Sequence, residues 1–395
     1  MPWLLRMTLL VSGIMVVAHI YLGWRHTKSL SFLSEKYWVR RLPVFILLTF
    51  YCLPLFGLTL FYVQGHLDLL EIPKPITYWF WFGFAFSYQL LSWIVIIDVL
   101  KAGFHLWSSR EAGYINIIYG RVILAAVAVI FVYSGVKMYL DTSKIQVETI
   151  ELSVEGLPPG LQDFSIVHIS DIQGDQYTGQ EEIESYVEKV NRQNPDIVIF
   201  TGDLISYGTD FIEMSAEALS RVESTYGTYA VVGDHDYWAG LSNVEPALES
   251  RGIQLLKDEN RFIDTGNSTL LLTGITQVYS KRADPDLVNE LTAGADTTKA
   301  PVRILAAHQV SELLLNESVN NNYRLFLSGH THGGQVRVPL FGMTFSASDM
   351  ETEFVSGVFR RDNLLINVNN GLGFTLAPVR YNAPPSISVI KLRKQ

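Results

Sequence analysis

Along the first third of the chain, apolar positions come in long unbroken runs. Beyond it they come in short bursts separated by polar turns. Residues 7–24, 42–63 and 76–97 hold no charged side chain, and 115–136 holds only Arg121. A helix crosses the hydrocarbon core of a bilayer with about 20 apolar residues, so each run predicts a membrane-spanning helix. The first run ends in Leu22-Gly23-Trp24-Arg25, without the small-residue site at which a signal peptide is cut, and reads as a retained helix. Trp38, Tyr62, Tyr78, Tyr114 and Tyr139 lie near the run ends, where amphipathic rings anchor at headgroup level.

From Lys144 the period changes. Ile150, Leu152 and Val154 alternate with polar residues and predict a strand over 145–154. Apolar bursts at 164–170, 196–201, 226–232, 302–307 and 324–328 predict buried strands, with helices over 181–192, 211–224 and 311–319 between them. Strands alternating with helices predict α/β units. Residues 252–275 read instead as successive short strands, so a mixed sheet or a sandwich covered by helices is expected.

Charge follows the same division. Residues 1–140 hold 11 Lys/Arg against 5 Asp/Glu, whereas 141–395 hold 19 against 34. The expected organisation is therefore a transmembrane region over 1–140 and a separate domain over 141–395. Arg25, Lys28, Lys36, Arg40 and Arg41 follow the first run, and Lys101 and Arg110 the third, while Lys74 shares the second loop with Asp68 and Glu71. The excess of Lys and Arg puts the first and third loops in the cytoplasm and the domain outside it. A domain this acidic is a poor match for nucleic acid, whose binding rests on neutralised phosphates. The one cysteine, Cys52, allows no intrachain disulfide.

Candidate chemistry gathers where the predicted strands end. Asp171-Ile172-Gln173 follows the first buried strand, Gly202-Asp203 the second, and Gly233-Asp234-His235-Asp236 the third. His308 ends the strand over 302–307, and Gly329-His330-Thr331-His332-Gly333-Gly334-Gln335 follows 324–328. Groups at the carboxyl ends of strands converge on one crevice in α/β sheets. Carboxylate oxygens and imidazole nitrogens gathered in this way suit divalent cations at a water-accessible site.

In this order and strand context the five blocks resemble the calcineurin-like metallophosphoesterases, particularly bacterial membrane-attached members. The likeness spans about residues 160–390 and includes Asn370-Gly371-Leu372-Gly373 and Pro378-Val379-Arg380. It implies a two-sheet β-sandwich flanked by helices that holds two divalent metal ions. Carried over by residue, Asp171 would bind the first metal, Asp203 would bridge both, and His332 would complete the first. Asp234, His308 and His330 would hold the second. His235, paired with Asp236, would face the substrate and serve the leaving oxygen while a metal-activated hydroxide attacks phosphorus.

The sequence departs from the family pattern twice. Asp-x-His appears as Asp171-Ile172-Gln173, and Gly-Asn-His-Asp as Gly233-Asp234-His235-Asp236. Asp234 keeps an oxygen ligand and adds a charge. Gln173 offers a neutral amide oxygen in place of an imidazole, which favours Mn²⁺ over Zn²⁺ at the first site, with Mg²⁺ and Fe as further alternatives. Ser206 stands where purple acid phosphatases place a tyrosine. Outside the blocks, His168 reads as a buried, hydrogen-bonded histidine and Asp175 as a solvated loop acid. Arg380 reads either as a phosphate ligand or as the partner of a carboxylate. Asn267 and Asn316 fit the N-glycosylation pattern.

These features point to an integral membrane phosphoesterase with an extracytoplasmic catalytic domain, hydrolysing phosphomonoesters or phosphodiesters, lipid-linked ones included. The alternative is a catalytically silent phosphate-binding or sensing domain on a membrane module, which the changes at Gln173 and Asp234 favour. A lipid substrate would add the expectation that apolar residues near 336–345 or 372–379 face the bilayer.

Overall fold

The computed structural model describes residues 3–65, 72–107, 112–266, 268–277, 283–294 and 300–395. Asp68, Glu71, Arg110 and Asn267 lie outside the described residues. The chain falls into two compact units. One comprises Met1–Ser143 together with Val336–Ser346 and Leu376–Asn382; the other holds Lys144–Gln335, Ala347–Thr375 and Ala383–Gln395. Sequence alone suggested a single boundary near residue 140. The two later segments join the first unit because they are apolar and complete its core. Val336, Val338, Ala377, Val379 and Tyr381 share a buried cluster with Met15, Leu22, Phe86 and Ile123.

Among the described residues five helices build the first unit: α1 (Trp3–Ser31), α2 (Tyr37–Thr49), α3 (Cys52–Gln64), α4 (Lys74–Trp107) and α5 (Ala112–Ser143). Three of them, α1, α4 and α5, are long and apolar enough to cross a membrane. The run over 42–63 falls on α2 and α3, which meet at 51° and amount to a fourth crossing only as one bent pair. The break has a covalent cause. Pro54 has no N–H to give the Phe50 carbonyl, so the ladder is interrupted at Phe50–Tyr51. Asp98 lies inside α4, not at its end, and takes hydrogen bonds from Tyr21 and Tyr119 (2.6 Å for the latter) and an ion pair from Arg25. His19 meets Ser87 Oγ at 2.8 Å, an interior hydrogen bond.

The second unit opens with β1 (Gln146–Val154), β2 (Ser165–Ile169), α6 (Gln180–Asn191), β3 (Ile197–Phe200), α7 (Ile212–Leu219) and β4 (Thr228–Ala230). It continues through α8 (Asp234–Ala239), α9 (Leu241–Glu249), β5 (Gln254–Leu255), β6 (Glu259–Asp264), β7 (Thr269–Ile275), α10 (Pro285–Ala293), β8 (Val302–Ala307), α11 (Glu312–Asn320) and β9 (Leu325–Ser328). The hairpin β10 (Val338–Leu340) and β11 (Met343–Phe345) belongs to the first unit. The second unit then ends with β12 (Gly357–Arg361), β13 (Leu364–Val368) and β14 (Ser386–Lys394).

Two six-stranded mixed sheets result, in the orders β1-β14-β2-β3-β4-β5 and β12-β13-β9-β8-β7-β6. Their inner strands β2, β3, β8 and β9 are buried along their whole length, as the continuous apolar bursts predict. One buried cluster draws on both sheets, with Ile166, Ile197 and Ile199 of the first and Leu272, Ile304 and Leu325 of the second. Helix α6 shows why the flanking helices form. Ile183, Tyr186, Val187 and Val190 recur at helical spacing and are buried, while the Glu182 carboxylate accepts from the Gly179 N–H at 3.0 Å to close its first turn. Strands β2, β3 and β4 run parallel, as do β7, β8 and β9. The carboxyl ends of each set therefore lie side by side, and the candidate residues are there.

Candidate metal centre

Each ligand candidate follows a strand directly. Asp171 stands two residues past β2, Asp203 three past β3, Asp234 opens α8 after β4, His308 follows β8, and His330 stands two past β9. The turns that hold them are tight. Asp171, Gln173, Asp203, His330 and His332 all have φ between 49° and 71°, in the left-handed region that side chains enter at a cost. Such a concentration of constrained residues is typical of functional sites. Gly329 is required for close approach: a Cβ there would overlap both Ser170 Oγ and the Asp171 carboxylate.

The side chains meet around His308. Its Nε2 lies 3.2 Å from Asp234 Oδ1, 3.3 Å from Asp203 Oδ2 and 4.0 Å from Asp171 Oδ1. His330 Nδ1 approaches Asp234 Oδ1 at 3.3 Å, and His332 Nε2 approaches Asp171 Oδ1 at 3.3 Å. The groups Asp234, His308, His330 and Asp171, Asp203, His308 each bring their ligand atoms within 4.8 Å of one another, as does Asp203, Asp234, His235. His308 Nδ1 donates to the Thr201 carbonyl at 2.7 Å, which turns Nε2 into the cluster.

Electrostatics favour a cation at the cluster. Burial pushes the Asp171 carboxyl up to about 6, the neighbouring Asp203 charge adding to this against His308. Burial would raise Asp234 too, yet hydrogen bonds from His308 and His330 hold it far below the carboxylate range. Burial would lower His330, but Asp234 and Glu351 raise it to about 9, and Asp203, Asp234 and Asp171 raise His308 against the same penalty. Three buried carboxylates crowd one imidazole, an excess of negative charge that a divalent cation offsets. Gln173 fits the same reading. Its Nε2 donates to Asp203 Oδ2 at 2.8 Å, and its buried Oε1 has no hydrogen-bond partner. The donor set of carboxylate, imidazole and amide oxygen suits borderline and hard divalent ions.

Residues 164–334 match the model of the calcineurin-like phosphoesterase family. That stretch is similar to calcineurin-like phosphoesterase domains. It is similar to an uncharacterised metallophosphoesterase of Campylobacter jejuni, 28% identical over 314 residues and 78% of each chain. An uncharacterised metallophosphoesterase of Bacillus subtilis is 26% identical over 66% of this chain and 89% of its own. A transmembrane protein with metallophosphoesterase domain from Danio rerio is 29% identical over 63% of this chain and 57% of its own.

Within the matched region the residues expected to act together are mostly brought together: Asp171, Gln173, Asp203, Asp234, His308, His330 and His332 converge. Asp236 does not pair with His235. Its carboxylate is buried and accepts from the backbone N–H groups of Asp203 (2.8 Å), Leu204 (2.8 Å) and Gly233 (3.0 Å), clamping two ligand loops together. Burial and the Asp203 charge push it up to about 7. The position dictates this role in part, because Asp236 is the third residue of α8 and turns back onto the N–H of Gly233, which caps the helix. His235 Nδ1 instead meets the Ser206 carbonyl, and the ring lies against Trp238 at a centroid distance of 4.8 Å.

Arg380 falls in the helical unit, fully buried, with its N–H donating to Thr142 Oγ1 at 2.9 Å. Asp175 is buried, not solvated: it accepts from Tyr177 N at 2.6 Å, Thr178 N at 2.9 Å and Ser206 Oγ at 3.0 Å. His168 is the buried hydrogen-bonded residue expected. Asn367 Nδ2 donates to its Nδ1 at 2.7 Å and its Nε2 meets Thr201 Oγ1 at 2.9 Å, while burial lowers it to about 3. Sequence reasoning missed Glu351, 3.4 Å from His330 Nε2, and Gln309, 3.4 Å from His330 Nδ1. Gln309 adjoins His308 and was within reach of a local reading, whereas nothing in the sequence marks Glu351.

Proposed function

We propose that the protein is a membrane-anchored, metal-dependent phosphoesterase whose domain works outside the cytoplasm on phosphomonoesters or phosphodiesters. The observation that carries this is a half-exposed His235, held in one orientation at the edge of a buried carboxylate–imidazole cluster. Asp171, Gln173, Asp203 and His332 would hold one divalent ion, Mn²⁺ by donor preference, and Asp203, Asp234, His308 and His330 a second. Bound there, the ions supply positive charge to the phosphoryl oxygens and acidify water.

The chain's own residues do the rest. A carbonyl only accepts, so the Ser206 contact keeps the His235 proton on Nδ1 and leaves Nε2 as the nitrogen that exchanges a proton with the leaving oxygen. Trp238, 55% exposed, walls the imidazole on one side and offers a face to the leaving group. Thr201 orients His308, and Asp236 ties the Asp203 and Gly233 loops so that the ligands keep their separation. These contacts hold the reacting groups in place before substrate arrives.

Hydrolysis of an aryl phosphodiester and an aryl phosphomonoester by the full chain in detergent, stripped of metal and titrated with Mn²⁺, tests the reading. Turnover should require Mn²⁺, vanish in Asp203→Ala, and fall in His235→Ala with Mn²⁺ affinity retained. Metal-independent or absent turnover in the wild type refutes it. One observation favours the silent phosphate-binding reading: Gln173 occupies a lone pair of Asp203, the carboxylate both ions would share. Activity that appears only in Gln173→His would select that alternative.

A further inference from the structure

The hairpin β10–β11 is built against what water favours. Its two-residue turn is Phe341-Gly342, with φ of 50° and 88°. A turn with both central residues at positive φ favours Asn or Asp at its first position, where a short polar side chain tolerates the left-handed region. Here an aromatic residue takes that position and is 55% exposed. Met343 and Phe345 beside it are 61% and 43% exposed. Arg337 is the one charged residue between Val336 and Ser346.

The hairpin also has a fixed depth in its own unit. Ser92 Oγ donates to the Pro339 carbonyl at 3.3 Å. Ser92 lies within α4, inside the uncharged run 76–97. Val336 and Val338 share the buried cluster of α1, α4 and α5, so the start of the hairpin is anchored in the core of the apolar helices. At its turn and along its second strand Phe341, Met343 and Phe345 stay exposed, as do Trp93 and Ile96 of α4 in the same unit. The strands satisfy part of each other's backbone through the register Val338–Phe345, Pro339–Thr344 and Leu340–Met343, and Pro339 brings no N–H. Non-helical backbone persists at hydrocarbon depth only where protein covers it or water reaches it, so the hairpin's backbone rests on the helices while its side chains reach lipid.

We infer that residues 336–346 form a bilayer-immersed hairpin whose Phe341, Met343 and Phe345 are covered by lipid acyl chains, and that the phosphate ester arrives from the bilayer. The second half rests on the phosphoesterase reading. It draws on chain continuity: the loop bearing His330 and His332 ends at Gln335, and the next residue opens the hairpin. The loop Gly371–Gly373 likewise leads into the apolar segment Leu376–Asn382 of the same helical unit. An ester whose apolar portion stays in the lipid is the substrate class this favours.

The first test does not depend on turnover. A bimane label on Phe341→Cys or Phe345→Cys, in the full chain carrying Cys52→Ser, is reconstituted in phosphatidylcholine vesicles. Quenching by acyl-chain-brominated phosphatidylcholine with protection from iodide supports immersion, against the reverse behaviour of a label on exposed Glu353→Cys. Iodide quenching at 341 and 345 overturns it. The second test compares wild type with Phe341→Ser/Phe345→Ser, with Mn²⁺. Substrates are an aryl phosphate ester and vesicles carrying phosphatidic acid and phosphatidylglycerol. A tenfold or larger loss on the vesicle esters, with the aryl ester within twofold, supports arrival from the bilayer; equal rates on the vesicle esters overturn it. Wild type that hydrolyses neither ester refutes the phosphoesterase reading and the substrate half with it, while quenching still decides immersion.

Discussion

Asp236→Asn separates two roles that adjacency in sequence merges. The carboxylate takes three backbone donors at 2.8, 2.8 and 3.0 Å. An amide of the same shape keeps one oxygen for the Asp203 and Gly233 N–H groups and turns its NH₂ on the Leu204 N–H. Losing a bond to a charged acceptor costs about 1.5–3 kcal/mol, and a buried donor left facing another donor about 1–3 kcal/mol more, so about 4 kcal/mol is lost. Against this stands the charge. A carboxyl whose pKa rises from 3.8 to about 7 on folding binds more protons folded than unfolded across that window. Stability therefore falls as pH rises through it. About three units at 1.36 kcal/mol each come to about 4 kcal/mol by pH 8, a penalty the amide escapes.

In metal-free protein the two effects nearly cancel, and the variant should melt within a few degrees of wild type at pH 8. With a divalent ion balancing Asp203, the wild-type penalty shrinks and the variant's loss remains. The variant should then gain less from Mn²⁺, with affinity about 10–100-fold weaker, as for a residue that orients ligands. Thermal unfolding of the full chain in detergent, with and without Mn²⁺, and calorimetric titration read both quantities. Unchanged Mn²⁺ affinity and an unchanged Mn²⁺-induced Tm shift, with kcat lowered and one limb of the pH–rate profile moved, would refute the clamp and return Asp236 to the proton on His235.

Three further outcomes are expected. Gln173→His replaces an amide oxygen by an imidazole nitrogen and should raise Zn²⁺ affinity relative to Mn²⁺ by tenfold or more, read by competition titration; an unchanged ratio would place residue 173 outside the metal shell. Gly329→Ala puts a methyl group into Ser170 and Asp171 and should lower Mn²⁺ affinity more than tenfold while the secondary structure seen by circular dichroism is kept. His168, neutral when buried with a pKa of about 3 against 6.5 unfolded, contributes stability that is lost as pH falls below about 6.5. Over the whole window this amounts to about 5 kcal/mol. The acid limb of Tm against pH should accordingly be shallower in His168→Gln, and parallel limbs would contradict the assignment.

The strand ends were legible because parallel buried strands read as short apolar bursts, and whatever follows them in sequence lies at one edge in space. That is why Asp171, Asp203, Asp234, His308 and His330 could be gathered before any coordinates. The partner of His235 was not legible, since Ser206 offers a main-chain carbonyl and any residue type supplies one. Hydropathy gave the length of the run over 42–63 but not its bend, which turns on a single missing N–H at Pro54. Nor could it divide the chain correctly after residue 335. The segments 336–346 and 376–382 are short enough to pass for strand and loop, and only their packing assigns them to the helices.

Strand β14 sits between β1 and β2, yet it is the last of the strands to be made. Among the described residues β1 pairs only with β14, through a register that joins Gln146 to Ser386 across most of the domain. During synthesis β1 thus leaves the ribosome without a partner, and the edge of β2 stays open until residues 386–394 follow. Open strand edges are the surfaces through which nascent chains stick to one another. A chain cut short before β14 would carry every ligand candidate and still lack the strand that closes its sheet. Synthesis of β14 therefore becomes the step at which the sheet closes, and fragments that lack it remain recognisable to proteases as unfinished.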